Sequence, residues 1–280
     1  MSRPVTIARP GLNRSKLAWS VVAWIVALVF FFPVLWMIAE ALKTEPQAAS
    51  IPPTILFVPT LAEFQEVLSR DFPPFFINSA VATIGSTLLV IVLGLPAAYA
   101  LSIRPVAKAR DVLFFFISTR FLPFAASLVP LYLLARDFQL LDNIFALIII
   151  YTTINLPLGV WLLRSFLLEL PNELFEAARV DGAGFWTELT SIVLPLITPG
   201  LAATALICLI FSWNEFFYAV NFTSSIAATS PIFLVGFISG RGLFYAKLAA
   251  AATLASLPVL AAGWIAQKQL IRGLTMGAVK

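Results

Sequence analysis

The sequence predicts an all-α, polytopic membrane protein with six transmembrane helices, and three observations carry that reading. Of 280 residues, 60% are hydrophobic and 11% charged, with a mean hydropathy of +0.96, a composition no soluble domain shares. Six apolar stretches reach the roughly 20 residues that a helix rising about 1.5 Å per residue needs to cross a ~30 Å hydrocarbon core. Between the fourth and fifth lies a polar island, residues 164–198, holding five of the fourteen carboxylates.

The stretches fall at about Leu17–Ala39, Phe76–Leu101, Val112–Leu134, Ile144–Leu163, Gly200–Val220 and Leu248–Ala266. Basic residues orient them. Arg3, Arg9, Arg14, Lys16, Arg104, Lys108, Arg110, Arg164, Arg179, Lys268, Arg272 and Lys280 lie in one alternate set of connections, against five (Lys43, Arg70, Arg136, Arg241 and Lys247) in the other. The positive-inside rule therefore puts both termini and the polar island in the cytoplasm. Residues 1–280 are read as a single transmembrane domain, with an N-terminal tail 1–16, an outer loop 40–75, a cytoplasmic loop 164–198 and a C-terminal tail 267–280. Ala39-Glu40-Ala41 has the form of a signal-peptide cleavage site, but the apolar run before it, about 23 residues, exceeds a signal core of roughly 7–15, so the first span is read as retained. The outer loop is acidic and carries Ile51-Pro52-Pro53 and a short amphipathic piece, Leu61–Leu68.

Local signals in the polar island describe two short helices and a turn. Pro171 suits a first helical position, Glu173 and Glu176 sit where the helix dipole favours negative charge, and Asp181-Gly182 supplies the break. Phe185, Leu189, Ile192 and Leu196 then recur at helical spacing, and Pro195 with Pro199 ends the second helix. Ala177 and Ala178 beside Glu176 would let a helix backbone approach a partner closely while the carboxylate takes an arginine fork. A DNA-reading helix-turn-helix is disfavoured, because only Arg164 and Arg179 are basic here and phosphate would be repelled.

Glu176-Ala177-Ala178, three residues, Gly182, nine residues, Ile192, one residue and Leu194-Pro195 together resemble the cytoplasmic coupling motif of membrane subunits of bacterial binding-protein-dependent ABC importers. The C-terminal residues 267–280 and Ser212-Trp213-Asn214-Glu215-Phe216, with Leu61 near Thr60 and Phe64, resemble carbohydrate permeases of the maltose-permease class. Gly242-Leu243-Phe244 through Ala246-Lys247-Leu248 resembles the polyol importers among them. The resemblance implies a permease subunit in the bacterial inner membrane and places a coupling helix in the loop between spans 4 and 5. It implies a second permease subunit, two cytoplasmic ATPase subunits that hold ATP and Mg, and an extracytoplasmic binding protein received in part by the outer loop. ATPase coupling would rest on Glu176, Ala177, Ala178, Gly182, Ile192, Leu194 and Pro195.

Polar groups within apolar stretches are costly and often functional. Arg120, Tyr151, Asn155, Asn214 and Glu215 are therefore candidates to line a substrate path. The aromatic and amide run Phe211–Phe217 suits a sugar, whose CH faces stack on rings while its hydroxyls need donors and acceptors. The same residues also suit structural work: Glu215 pairing with Arg120 or capping a helix end, and the rings forming an interfacial belt. Pro123, Pro130 and Pro157 interrupt the third and fourth spans, as in broken helices around transport paths. Ala249–Ala252, Ala255, Ala261 and Ala262 suit close helix contact in the last.

Other chemistry is disfavoured. With no histidine and one cysteine, Cys208, the chain has neither a disulfide framework nor a Cys/His metal site, and no Ser/His/Asp or Cys/His nucleophile set. No GxxxxGK[ST] loop occurs, so the chain binds no nucleotide cofactor by that route and is not read as an enzyme. Two other classes fit the composition. One is a secondary transporter driven by an ion gradient through Arg120 and Glu215, opposed by the small number of spans and the lack of an internal repeat; the other is a membrane scaffold or receptor.

Overall fold

The computed structural model describes residues 14–69, 72–104, 106–121, 124–239 and 242–278. They divide into two units, one taking the described chain up to Glu66 with Phe244–Thr253, the other Val67–Leu243 and the chain from Leu254.

In the first unit lies α1 (Arg14–Ala41), whose stretch from Leu17 to Ile38 is apolar on nearly every side, as a helix surrounded by hydrocarbon must be. Trp19, Trp24 and Phe30 stand exposed along it. At its end Lys43 is buried, bonded to Glu40 at 2.7 Å and lying over the rings of Trp36 and Phe57, so a lone cation is neutralised before it is covered. Beyond α2 (Glu45–Ala48), the Glu45 carboxylate accepts from the backbone N–H groups of Ala246 and Lys247, at a helix start where orphan donors need an acceptor. Lys247 pairs with Glu66 at 2.8 Å. The expected amphipathic piece of the outer loop forms α3 (Ala62–Ser69).

The second unit runs through α4 (Phe72–Ser102), α5 (Ala109–Thr119), α6 (Phe124–Asp137), α7 (Ile144–Leu167), α8 (Asn172–Val180) and α9 (Phe185–Thr187). A π-helical stretch (Glu188–Val193) follows, then α10 (Leu194–Leu196), α11 (Thr198–Trp213), α12 (Phe217–Phe222) and α13 (Ser230–Val235). The two-residue strands β1 (Ile238–Ser239) and β2 (Gly242–Leu243) pair antiparallel, a small departure from the all-α reading, before α14 (Tyr245–Ala278) ends the described chain.

Four helical segments are long and apolar enough to cross a membrane: Leu17–Ala41, Phe72–Ser102, Ile144–Leu167 and Tyr245–Gln269. A fifth is reached if Phe185–Leu196 and Thr198–Trp213, bent by 81°, count together. The predicted third span is divided between α5 and α6, each too short alone; Pro123 lies outside the described residues. The predicted fifth stops at Trp213 instead of Val220, because Asn214 closes α11 and a new short helix follows.

Helices α4, α7 and α11 form the centre of this unit. On α4 the buried residues Ser79, Thr83, Ser86, Val90, Gly94 and Ala98 recur every three or four positions and are mostly small, which lets α7 approach closely. The tightest point is Gly159 on α7, where an added Cβ would come 2.4 Å from Cγ1 of Val90. Gly159→Ala is therefore expected to cost about 1–3 kcal/mol of packing strain, read as a lower melting temperature of the detergent-purified protein. Gly94→Ala, whose Cβ would meet nothing nearer than 3.5 Å, is the control that should leave it unchanged.

Candidate functional site

The polar island folds back onto its own spans. In α8, Phe175 and Ala178 are buried, one turn apart, while Glu176 and Ala177 are exposed. Phe175 enters a cluster with Tyr99 and Leu113, Leu163 and Leu167 of α7, and Leu189 and Val193 of the π-helix. The Tyr99 ring meets Phe175 and Phe185 at centroid distances of 6.1 and 5.4 Å. Of the alanine pair, then, Ala178 seats the helix on its own chain and Ala177 is open to a partner. The same loop also exposes Leu174, Val180 and Trp186, large apolar side chains in a largely acidic stretch.

Gly182 terminates α8 as the sequence anticipates. Its φ of +83° is left-handed, Gly182 N–H donates to Arg179 O and Ala183 N–H to Ala178 O, the two bonds of a Schellman cap.

The second helix is not the regular one predicted. Glu188–Val193 is π-helical, and Pro195 just beyond it has no N–H with which to hold an α-helical register. The wider turn moves the inward face from Phe185, Leu189, Ile192 and Leu196 to Leu189, Val193 and Ile197, with Phe185 half-buried. Ile192 is half-buried, and Leu194, Pro195 and Leu196 are exposed.

Sequence reasoning missed the polar centre of this loop. Glu188 is fully buried. Its carboxylate accepts from the Tyr99 hydroxyl, from Arg104 Nη2 at 2.9 Å and from Arg179 Nε at 3.3 Å. Burial pushes the Glu188 carboxyl above the ordinary glutamate value, and the two facing guanidiniums make a carboxylate tenable there. The only signal in the sequence was an acid placed beside an apolar face.

Within the apolar segments the five candidates separate. Asn155 is buried and donates to Ser212 Oγ at 3.0 Å, and Ser212 bonds Ser86 Oγ at 3.1 Å, a polar link between α7, α11 and α4. Tyr151 is buried with its hydroxyl toward the Glu215 carbonyl. The Glu215 carboxylate accepts from the N–H groups of Tyr218 and Ala219, capping α12, which is one of the structural roles foreseen for it. Asn214 is exposed and donates to Ile210 O. Arg120, at the end of α5, donates to Ile154 O at 2.6 Å and lies over Phe211 at 5.7 Å. Only Arg120 of the five lines the cavity of about 600 Å³ beside α4–α7, whose other polar groups are Thr119, Ser127, Thr152, Thr153 and Tyr218. Its remaining walls are apolar.

At the opposite end of the spans the loops are stitched together. Asp142, in the α6–α7 turn, accepts from the backbone N–H groups of Ser224, Ser225, Ile226 and Ala227 and the hydroxyls of Ser224 and Ser225. Asn78 of α4 donates to the carbonyls of Ile226 and Ala228. Burial would raise the Asp142 carboxyl, but the bonds from Ala227, Ser224 and Ile226 outweigh it and hold the group well below the usual carboxylate range. A depressed folded value makes the stabilisation fully present above the unfolded value of about 3.9 and lost only as pH falls through the lower one. Limited proteolysis at 223–229 should therefore be equally slow at pH 7 and pH 5. Asp142→Ala should speed it at both.

Several helices long and apolar enough to cross a membrane, with a helical loop packed against their ends, are the features of a multi-pass membrane protein. The chain belongs to the family of binding-protein-dependent transport system inner membrane components, whose model matches residues 18–275. It is 40% identical to the probable ABC transporter permease protein y4oR of Sinorhizobium fredii, over 95% of this chain and 96% of that one. It is 33% identical to the melibiose/raffinose/stachyose import permease protein MelC of Bacillus subtilis, over 97% and 99%. Among solved structures, a bacterial ABC transporter that imports the acidic polysaccharide alginate superposes with a TM-score of 0.74 at 22% identity, over 94% of this chain and all of the other.

Proposed function

We propose that this chain is the permease subunit of an ATP-driven, binding-protein-dependent importer of a sugar or sugar alcohol. The observation that carries the coupling half of the reading is the exposed face of α8: Glu176 and Ala177 point outward from a helix whose other side is anchored in the spans, and Gly182 ends it in the left-handed turn. The sugar half is supported by relatives such as the melibiose/raffinose/stachyose permease, similar along almost the whole chain.

In this reading the four long helices, the α5–α6 pair and α11 with α12 are the six crossings, with both termini and the loop 164–198 in the cytoplasm. Glu176 meets a basic group in a cleft of an ATPase subunit, Ala177 allows close approach, and Leu194 and Pro195, with Ile192 behind them, border the same surface. Two ATPase subunits hold ATP and Mg; a second permease completes the path and an extracytoplasmic binding protein delivers the cargo. Arg120 and Asn214 stand on the path, while Tyr151, Asn155 and Glu215 hold the helices that form its wall. ATP-driven closure of the ATPases moves the docked loop, and the spans follow.

Purifying the tagged chain from its native membrane with its neighbours tests this. A second permease, an ATPase and a binding protein that binds oligosaccharides or polyols should accompany it, and uptake in proteoliposomes should require ATP. Uptake by the chain alone under a proton or sodium gradient would overturn the reading.

A further inference from the structure

The lever just described needs a stiff joint between the docking helix and the spans, and apolar contacts alone supply a poor one. Phe175, Leu189 and Val193 bury surface without direction, so such an interface can slide under load. Hydrogen bonds to a charged group fix both distance and angle.

Four residues from four parts of the chain meet at one carboxylate. Tyr99 comes from the cytoplasmic end of α4, Arg104 from the connection that follows, Arg179 from α8 itself and Glu188 from the π-helix. Arg179 directly follows Ala178, so the motif helix is gripped one residue from its own buried contact. Glu188 is inaccessible, whereas both guanidiniums are about one-third exposed, at 35% and 37%. The carboxylate is thus the hub, and the arginines approach it from the loop surface. Arg104 Nε, also buried, has no hydrogen-bond partner, which leaves one donor inside the joint available to a second arrangement. Short π-helical turns within helices are frequent at functional sites, and here the π-helix begins at Glu188.

We propose that Glu188 is the positioning residue that locks the coupling helix to α4 through Tyr99, Arg104 and Arg179, so that displacement of α8 by the ATPase is delivered to the spans. The proposal rests on the importer reading above. Glu188 touches neither cargo nor nucleotide; its role is to make the loop and α4 move as one body.

The test uses the complete importer in proteoliposomes and reads the amount of cargo moved per ATP hydrolysed, a ratio that a merely destabilised protein would not alter in its surviving fraction. Glu188→Gln keeps size and shape but removes the charge that holds both guanidiniums; it should assemble, hydrolyse ATP and lose about tenfold or more of the transport ratio. Tyr99→Phe removes one bond from the same carboxylate and should show a smaller loss. Glu188→Asp should recover part of it. If Glu188→Gln fails to assemble, Tyr99→Phe and Arg104→Gln carry the test, each expected to lower the ratio with the complex intact. An unchanged ratio in the assembled variants overturns the role of Glu188 while leaving the importer reading standing. A wild-type complex that shows no ATP-dependent uptake overturns both.

Discussion

Replacing Gly182 with valine is expected to reduce uptake to background while the protein still inserts and assembles. The residue has a φ of +83°, a region where a β-branched side chain is severely strained. Nothing lies within 4 Å of the position an added Cβ would take, so the effect is conformational and not a clash with neighbours. To relieve the strain the chain must leave the left-handed region, breaking the bonds from Gly182 and Ala183 to Arg179 and Ala178 and turning α8 away from its seat. Gly182→Asn should retain most of the uptake, since asparagine enters that region readily. Uptake and ATP hydrolysis measured together on the assembled complex check this. Valine should abolish the first and leave basal hydrolysis, and normal uptake by the valine variant would show that the turn does not aim the helix.

That turn was legible because one dihedral requirement maps onto one residue type. The alanine pair shows the limit of such reading. Two adjacent methyl groups look alike in a sequence, yet on a helix they lie about 100° apart, so once Phe175 anchors α8, Ala178 is drawn inside and Ala177 is left out. The inward face of the next segment was misplaced for a related reason. A spacing argument assumes 3.6 residues per turn, and the π-helix over Glu188–Val193 changes the period where Pro195 removes a donor.

Long-range pairing lay further out of reach. Glu188 meets Tyr99 and Arg104 across more than eighty residues of chain, and Asp142 meets the loop at 224–227 across a similar interval. Nothing in composition or periodicity announces either. The intramembrane candidates were legible as a set, because polar groups in apolar runs stand out. Their roles were not: Asn155 and Glu215 bond to nearby helices, and whether a side chain opens on a cavity depends on how α4, α7 and α11 pack.

Arg120→Leu is expected to lower both the melting temperature and the maximal uptake, with the half-saturating cargo concentration unchanged. Pro157 lies within α7, and lacking an N–H it leaves the Thr153 carbonyl without its i−4 donor. One residue further on, Arg120 donates to Ile154 O at 2.6 Å while its guanidinium lies over the Phe211 ring, so one cation braces α7 against α11 beside the cavity. Leucine would remove this charge-assisted bond, at a cost of about 1–3 kcal/mol. Arg120→Lys should restore part of both quantities, because an ammonium can still reach one carbonyl but cannot also stack flat on the ring. Thermal melting and concentration-dependent uptake separate this brace from a cargo contact. A leucine variant with an unaltered melting temperature and a shifted half-saturation would assign Arg120 to the cargo, whereas a joint loss rescued in part by lysine would make it the support that keeps this wall of the cavity in place.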